Sequence, residues 1–280
     1  FQILPIMKLQ IRNILKYQFS EPISYGMQRL RLWPYKDLNQ SIVNWRIDYV
    51  GAKEQAHYKD HHDNQCTLIT FVPGITEITI LVKGTVKTSF KKNHIPRNNE
   101  LFPLWLYRTE TDLTTPGKSI SDFCKLWVSS HLSKIDLCKR VAEAIKNEMD
   151  YKSGKTNVLT TAEQSFKKKI GVCQDFAHIF IACMRKLNIP ARYVSGYLSM
   201  NETKIQFATH AWAEVFIDEC GWVSFDIANN MDVDEQYIIL AKGCDYRDAN
   251  PINGFQFGGK NNQVLNQIEV KTYKNRKSNQ

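Results

Sequence analysis

The chain has 280 residues, of which 43% are hydrophobic, and a formal net charge of +9, so its length suits two domains with ordinary hydrophobic cores. No uninterrupted apolar stretch approaches the roughly 20 residues that cross a bilayer, which argues against a transmembrane segment and a membrane partner. The positive charge is spread along the chain, with clusters only at 167–169 and 271–277, and we therefore expect no nucleic-acid partner.

Alternating apolar and polar residues predict strands in the first part of the chain. This period-2 pattern occurs at Met7–Ile11, Val43–Tyr49 and Ile78–Val82. Several short segments of this kind indicate antiparallel sheets. We therefore predict an all-β, sandwich-like N-terminal domain over residues 1–117.

Three histidines lie between the second and third of these segments. His57, His61 and His62 have a spacing that makes zinc ligands conceivable. Their surroundings, which include Asp60–Asn64, form a polar, turn-prone segment. A solvated histidine cluster is therefore favoured over a zinc site.

The periodicity changes from alternating to helical after a turn-prone region. The polar segment 91–99 and the break Thr114–Gly117 place the domain boundary near residue 118. Beyond it, the pattern predicts helices over 121–132 and 133–151. The second domain would then span residues 118–280.

A cysteine stands at the start of the next predicted helix. Gly171–His178 follows a basic, turn-prone stretch, and apolar residues recur at helical spacing from Val172 to Leu187. Cys173 therefore lies in the first helical turn, where free backbone N–H groups and the positive end of the helix dipole favour an anion. A thiolate nucleophile would be stabilised at this position.

Three strands are predicted after this helix, at Ala191–Leu198, His210–Ile217 and Gly221–Asp226. A turn at 218–221 joins the last two as an antiparallel hairpin. This hairpin places Asp226 beside His210, near the strand ends away from the turn. A carboxylate there would fix the imidazole tautomer and stabilise the imidazolium.

Cys173, His210 and Asp226 are thus a candidate catalytic triad. The alternative is a buried cysteine, a core histidine and a turn aspartate that never meet, since buried free cysteine is common. The order of the three residues, with the cysteine at a helix start and its partners on strands, favours the triad. His178 points away from Cys173 on the helix, and we expect it, like Trp212, to be structural.

Several stretches of the chain resemble the transglutaminase-like superfamily of papain-type cysteine enzymes, in its prokaryotic branch. The similarity includes the β-rich region that precedes the catalytic domain in bacterial members and the segment that closes that domain. Nearly the whole chain is covered. The segments are Tyr17–Ile23, Gln28–Pro34, Gly171–Phe180, Pro190–Tyr197, His210–Val215, Gly221–Asp226, Asp245–Asp248 and Pro251–Gly254.

The resemblance implies an α+β fold in which a papain-like, transglutaminase-like core of helices on an antiparallel sheet follows the all-β domain. It also implies that Cys173 is the nucleophile, His210 the general base and acid, and Asp226 the residue that orients the histidine. The chain departs from the family pattern in two places. The proline that usually follows the aspartate is absent from 227–230, and the usual Asp, aromatic, Gly, Asn turn is altered at 60–64.

The chemistry expected is attack by Cys173 on the carbonyl of a peptide or amide substrate. Water as acceptor would make the protein a thiol-dependent amide hydrolase, a cysteine peptidase or amidase, and we favour this outcome because water is ubiquitous. An amine acceptor would make it a protein-glutamine transglutaminase. A third alternative is a non-catalytic binding module that keeps the fold and has lost catalytic activity. No cofactor or metal is required, and the sequence leaves the substrate-binding residues and the oligomeric state open.

The seven cysteines show neither a paired framework nor CxxC metal spacing. Reduced thiols, together with the lack of an apolar leader before Met7, predict a cytoplasmic protein. Apart from Cys173 and Cys220, the cysteines are expected to be small packing residues.

Overall fold

A computed structural model describes residues 6–89, 102–128, 131–200, 205–218, 220–260 and 263–272. The polar segment 91–99, in which we considered a domain boundary, lies outside the described residues, as do most of the basic residues of 271–277. Among the described residues, no helix has the length and apolar content that crossing a bilayer requires.

The first part of the chain forms strands, as the alternating pattern predicts. They are β1 (Ile6–Gln18), β2 (Ile23–Leu30), β3 (Gln40–Val50), β4 (Ala52–Lys59), β5 (Gln65–Phe71) and β6 (Glu77–Ser89). The strands divide between two four-stranded sheets, in which β1, β6 and β3 are neighbours in one and β2, β5 and β4 in the other. All pairs are antiparallel, and apolar residues of both sheets share one hydrophobic core.

Helices follow a short 3-10 turn at Leu106–Arg108. They are α1 (Lys118–Lys125), α2 (Lys134–Glu148), α3 (Ala162–Lys168) and α4 (Cys173–Lys186). The stretch before Gly171 was predicted only as a basic turn, but it contains α3, whose first turn is capped by Thr161 in a capping box with Gln164. Helix α2 is shorter than predicted because the backbone becomes extended at Met149.

The remaining strands are β7 (Asp150–Tyr151), β8 (Ile170–Gly171), β9 (Ala191–Leu198), β10 (His210–Ile217), β11 (Gly221–Asp226), β12 (Met231–Asp232) and β13 (Tyr237–Gly243), followed by α5 (Tyr246–Ala249), β14 (Ile252–Gly258) and β15 (Gln263–Thr272). The predicted bounds of β9, β10 and β11 are confirmed. They belong to a five-stranded antiparallel sheet with the order β12-β11-β10-β9-β13.

Helix α4 lies against this five-stranded sheet and is buried along most of its length. It contacts β9 and β10 on one side and α1, α2 and α3 on the other. The apolar residues on nearly every face of α4 follow from this position, because a helix enclosed by other elements has no solvent-facing stripe. The predicted α+β class, with helices on an antiparallel sheet and a β-sandwich before them, is confirmed.

The last two strands return to the sandwich. Strand β15 pairs with β1 and strand β14 pairs with β2, so each four-stranded sheet is completed by residues from the far end of the sequence. The sandwich core also includes Tyr197, Ile238 and Leu240 from the five-stranded sheet. The division into 1–117 and 118–280 remains a prediction, and the two parts share buried contacts.

The turn between β4 and β5 was predicted to be solvated, and this is wrong for part of it. His57 and His61 are exposed, but His62 and Asn64 are buried. Asn64 exchanges hydrogen bonds with the backbone of Lys242, at 2.8 Å in both directions. The turn is buried because it packs against the end of β13, which the local polar pattern does not reveal.

A buried ion pair fixes this turn to the rest of the sandwich. The side chain of Arg31 is 1% exposed, and its Nε lies 2.9 Å from Oδ2 of Asp60. Arg31 also donates to the backbone and side-chain oxygens of Asn250, at 3.2 and 2.9 Å. One guanidinium, directly after β2, therefore joins the end of this strand to the β4–β5 turn and to the segment before β14.

We expect Arg31→Ala to lower the free energy of unfolding by about 3–5 kcal/mol, because it leaves the Asp60 carboxylate partly buried without its partner. Urea denaturation followed by circular dichroism measures the change. The matched control is Arg46→Ala, since Arg46 is 76% exposed in its pair with Asp48. It should change the free energy by less than about 1 kcal/mol, and equal losses in both variants would contradict the assignment.

Candidate active site

Cys173 is the first residue of α4, as predicted, and its side chain is partly exposed. The carboxylate of Asp175 accepts from the backbone N–H of Val172 at 2.8 Å and from the hydroxyl of Thr156 at 2.7 Å. These contacts fix the first turn of α4. The cysteine therefore lies where unpaired helical N–H groups point outward.

Gly171 allows this close approach of strand and helix. A Cβ atom at this position would lie 2.6 Å from Cβ of Asp175 and 2.8 Å from the hydroxyl of Ser165. Neither neighbour can retreat easily, because Asp175 caps α4 and Ser165 donates to the carbonyl of Ile170 at 2.7 Å. Only glycine fits between them.

His210 begins β10 and Asp226 ends β11, which are adjacent antiparallel strands. Nε2 of His210 lies 2.6 Å from Oδ2 of Asp226. The Asp226 side chain is fully buried, whereas that of His210 is 12% exposed. The Cys173 side chain lies close enough to the same imidazole to raise its pKa. Because Nε2 faces Asp226, Nδ1 is the nitrogen left for the sulfur, and the three predicted residues lie in one chain of contacts.

Asp226 is held by further donors. Its Oδ2 accepts from Nδ2 of Asn229 at 2.7 Å and from the hydroxyl of Tyr237 at 2.8 Å. Its Oδ1 accepts from the backbone N–H of Asn229 at 3.1 Å, which closes a turn by a local side-chain contact. This turn stands where the resemblance led us to expect a proline, so the aspartate is positioned without it.

Burial alone would disfavour charge on both His210 and Asp226, and the contacts of the two side chains reverse that effect. The hydrogen bond that the imidazole donates to Asp226, together with the neighbouring Cys173, outweighs burial and raises the pKa of His210 to about 10. Burial would raise the pKa of Asp226, but His210, Asn229 and Tyr237 together lower it. The site therefore favours an imidazolium beside a carboxylate at neutral pH.

Tyr151, which the sequence did not single out, lies beside the cysteine. Strands β7 and β8 pair in parallel, so Tyr151 stands opposite Gly171, two residues before Cys173. Its hydroxyl contacts both the backbone N–H and the side chain of Cys173. Partial burial and the neighbouring thiol raise the pKa of Tyr151 to about 12, so this hydroxyl stays protonated well above neutral pH. Its position depends on a pairing that no local pattern indicates.

Aromatic rings surround the imidazole. His210 is stacked on Trp212, with ring centroids 6.2 Å apart, and Trp212 contacts Tyr237 edge-on at 5.3 Å. His178 is buried behind the site, where Nε2 accepts from the backbone N–H of Tyr246 at 3.1 Å. Burial lowers the pKa of His178 to about 3, so it is neutral. These contacts agree with the structural roles expected for His178 and Trp212.

Comparison with known families matches most of the chain. Residues 125–227 match the transglutaminase-like superfamily, and residues 9–87 match the bacterial transglutaminase-like N-terminal region. The first match contains the cysteine, the histidine and the aspartate described above. The second covers strands of the sandwich.

Relatives over nearly the full length occur in mycobacteria. An uncharacterized protein of Mycobacterium tuberculosis is 34% identical over 283 residues, which cover 92% of this chain and 90% of the relative. An uncharacterized protein of Mycobacterium leprae is 25% identical over 271 residues, covering 90% and 94%.

A solved structure shares the fold. The chain is similar to a protein of Cytophaga hutchinsonii described as a "Putative Cysteine Protease", with a TM-score of 0.78 and 20% identity, over 97% of this chain and 92% of that one. The arrangement of sandwich, helices and five-stranded sheet is therefore shared over almost the whole length. The sequence matches show that the chain belongs to the transglutaminase-like superfamily and has the bacterial transglutaminase-like N-terminal region.

Proposed function

We propose that this protein is a thiol-dependent amide-bond hydrolase that uses Cys173, His210 and Asp226 as a catalytic triad. The observation that supports this most strongly is the continuous contact from the thiol through the imidazole to a buried carboxylate. Two further features agree with it: the cysteine begins a helix, and its side chain is reachable from solvent.

In the first half of the proposed reaction, the Cys173 thiolate attacks the carbonyl carbon of the substrate and forms a tetrahedral intermediate. The C–N bond then breaks as the His210 imidazolium gives its proton to the leaving amine. A thioester between Cys173 and the acyl group remains. The Asp226 carboxylate keeps the imidazole oriented and stabilises its charged form.

In the second half, neutral His210 removes a proton from water while the oxygen attacks the thioester. The C–S bond breaks, the carboxylic acid leaves, and the thiolate–imidazolium pair is restored. An amine in place of water would give transglutamination through the same thioester. Water is the proposed acceptor because it needs no dedicated binding site.

The negative oxygen of the tetrahedral intermediate needs hydrogen-bond donors. We assign the backbone N–H of Cys173 as one donor and the Tyr151 hydroxyl as the other. The hydroxyl lies near both the backbone N–H and the thiol of Cys173, and a substrate carbonyl that approaches the sulfur must enter the same space. A protonated phenol there can donate to the developing oxyanion.

We expect Tyr151→Phe to lower kcat by roughly 10²–10³-fold with a smaller effect on KM, because the lost donor acts mainly in the transition state. Steady-state kinetics on an amide substrate measures both constants. The matched control is Tyr58→Phe, since Tyr58 is an exposed tyrosine on β4, and it should leave both constants unchanged. An unchanged or increased kcat for Tyr151→Phe would remove it from the oxyanion site.

A substrate screen tests the proposed reaction. Peptides and carboxamides are incubated with the wild type and with Cys173→Ala, with and without an added primary amine, and the products are identified by mass spectrometry. Cleaved or deamidated products formed only by the wild type support the hydrolase. Amine conjugates as the main product would establish the transglutaminase alternative. If the screen yields no product, rates of iodoacetamide labelling decide: reaction at Cys173 no faster than at Cys220 would favour the non-catalytic module.

The location and partners remain proposals. A reducing compartment such as the cytoplasm fits the seven cysteines, all of which are free. Fractionation of cells that express a tagged full-length chain tests the location. The proposed partner is the peptide or amide substrate itself.

A further inference from the structure

The altered turn between β4 and β5 lies close to α5, although the two are far apart in the sequence. The possible ligand atoms of His61, His62 and Asp248 all lie within 4.8 Å of one another. Two imidazoles and a carboxylate are ligands that bind first-row transition metals. We propose that these three side chains bind one Zn²⁺ ion, with water completing a tetrahedral shell.

The spacing of His62 and Asp248, the two less exposed ligands, fits one shared ion. Nε2 of His62 lies 3.1 Å from Oδ2 of Asp248. Two ligands at about 2.0–2.2 Å from a tetrahedral Zn²⁺ are about 3.3–3.5 Å apart, so this pair needs to separate by only a few tenths of an ångström. His61 is exposed, and its ring centroid lies 4.3 Å from that of His62. Its ligand atom already lies within 4.8 Å of those of His62 and Asp248, so a small rotation of the exposed side chain can supply the third bond.

His62 and Asp248 each have a further polar contact that fixes their orientation. The Tyr107 hydroxyl lies 3.5 Å from Nδ1 of His62, where an imidazole that binds metal through Nε2 has its remaining N–H. The backbone N–H of Cys244 donates to Oδ2 of Asp248 at 3.0 Å. Such outer contacts fix the tautomer and direction of metal ligands. His62 is 4% exposed, so its orientation is also fixed by packing.

The ligand set favours zinc over the alkaline-earth ions. Ca²⁺ and Mg²⁺ take oxygen ligands, whereas imidazole nitrogen suits Zn²⁺. The exposed His61 and the partly exposed Asp248 leave a path by which an ion can enter from solvent. His57, the third histidine of the predicted cluster, lies on β4 and contacts Thr67 and Gln65 instead.

A bound ion would link two parts of the chain that are distant in sequence. His62 and Asp248 are 186 residues apart, one in the sandwich and the other directly after the five-stranded sheet. An ion that binds only when both are in place stabilises the folded state by mass action. The site lies outside the proposed triad, so its role would be structural.

Calorimetric titration with ZnCl₂ tests the proposal. The titrated protein is the full chain with Cys173→Ala and Cys220→Ala, which removes the two partly exposed thiols as competing ligands. We expect one Zn²⁺ per chain. His61→Ala and Asp248→Asn in this background should weaken binding by at least about 10–100-fold, the loss that follows even from removing an outer contact of a metal ligand. His57→Ala should bind as the parent does.

Two further readouts keep the test decisive if a variant folds poorly. Zinc should raise the melting temperature of the parent and of His57→Ala but not that of Asp248→Asn, with circular dichroism confirming that each chain is folded. Anomalous scattering at the zinc edge from crystals of the parent should place the ion between His61, His62 and Asp248. No binding to the parent, equal affinity in all variants, or an ion located elsewhere would overturn the proposal.

Discussion

Cys173→Ala is expected to abolish amide cleavage, with a loss of roughly 10⁶-fold in kcat, because it removes the only group that forms a bond to the substrate. The overall fold should be retained, since the side chain is partly exposed and alanine is compatible with a first helical turn. Initial rates on a substrate from the screen measure the loss. Intact-protein mass spectrometry should detect a covalent acyl adduct on the wild type and none on the variant.

The matched control for this prediction is Cys220→Ala. Cys220 is also a partly exposed free thiol, but it lies in the turn between β10 and β11, at the other end of the hairpin from His210 and Asp226. Its removal should leave the rate unchanged. Residual activity of Cys173→Ala at more than about one-hundredth of the wild-type rate would show that another group performs the chemistry.

The second large effect is expected for the histidine and its carboxylate. His210→Ala removes both the partner of the thiolate and the proton donor, so its loss in kcat should approach that of Cys173→Ala. Asp226→Ala should lower kcat by roughly 10⁴-fold, because the aspartate acts only by orienting the imidazole and stabilising its charged form. The double variant should cost little more than His210→Ala alone. Additive losses would show that Asp226 does not act through His210.

The pH profile gives a readout that a merely structural role would not change. Since the contacts with Asp226 and Cys173 raise the pKa of His210 to about 10, the imidazolium needed for the first step persists through neutral pH. Activity should therefore fall as the pH rises through about 10. Asp226→Asn removes the negative charge that stabilises the imidazolium, so this alkaline limb should move to lower pH. An unmoved limb would assign the titration to another group.

Much of the site could be predicted from local patterns. Residue types and bounding turns predicted β9, β10 and β11 with their observed bounds, and helical periodicity placed Cys173 at a helix start. A short hairpin then brought Asp226 to His210 without any knowledge of the rest of the fold. These predictions succeeded because the contacts involved are close in sequence, where side-chain periodicity and turn geometry decide which residues meet.

Other parts of the site could not be predicted in this way. Tyr151 reaches Cys173 through the parallel pairing of β7 with β8, and each of these strands has only two residues. So short a segment shows no periodicity, and the helical pattern over 133–151 places Tyr151 at the end of a helix. Tyr237 reaches Asp226 from β13, which is separated from β11 in the sheet by β10 and β9.

The sequence by itself determined the α+β class, the helix that begins at the cysteine with the three strands β9, β10 and β11 that follow it, and the three residues of the candidate triad. Only the tertiary structure decided that β14 and β15 complete the sandwich, that the β4–β5 turn is partly buried, and that His62 meets Asp248. The physical reason is the same in each case. An element's type follows from the local alternation of its side chains, whereas its distant partners depend on which of many exposed strand edges and surfaces pack together.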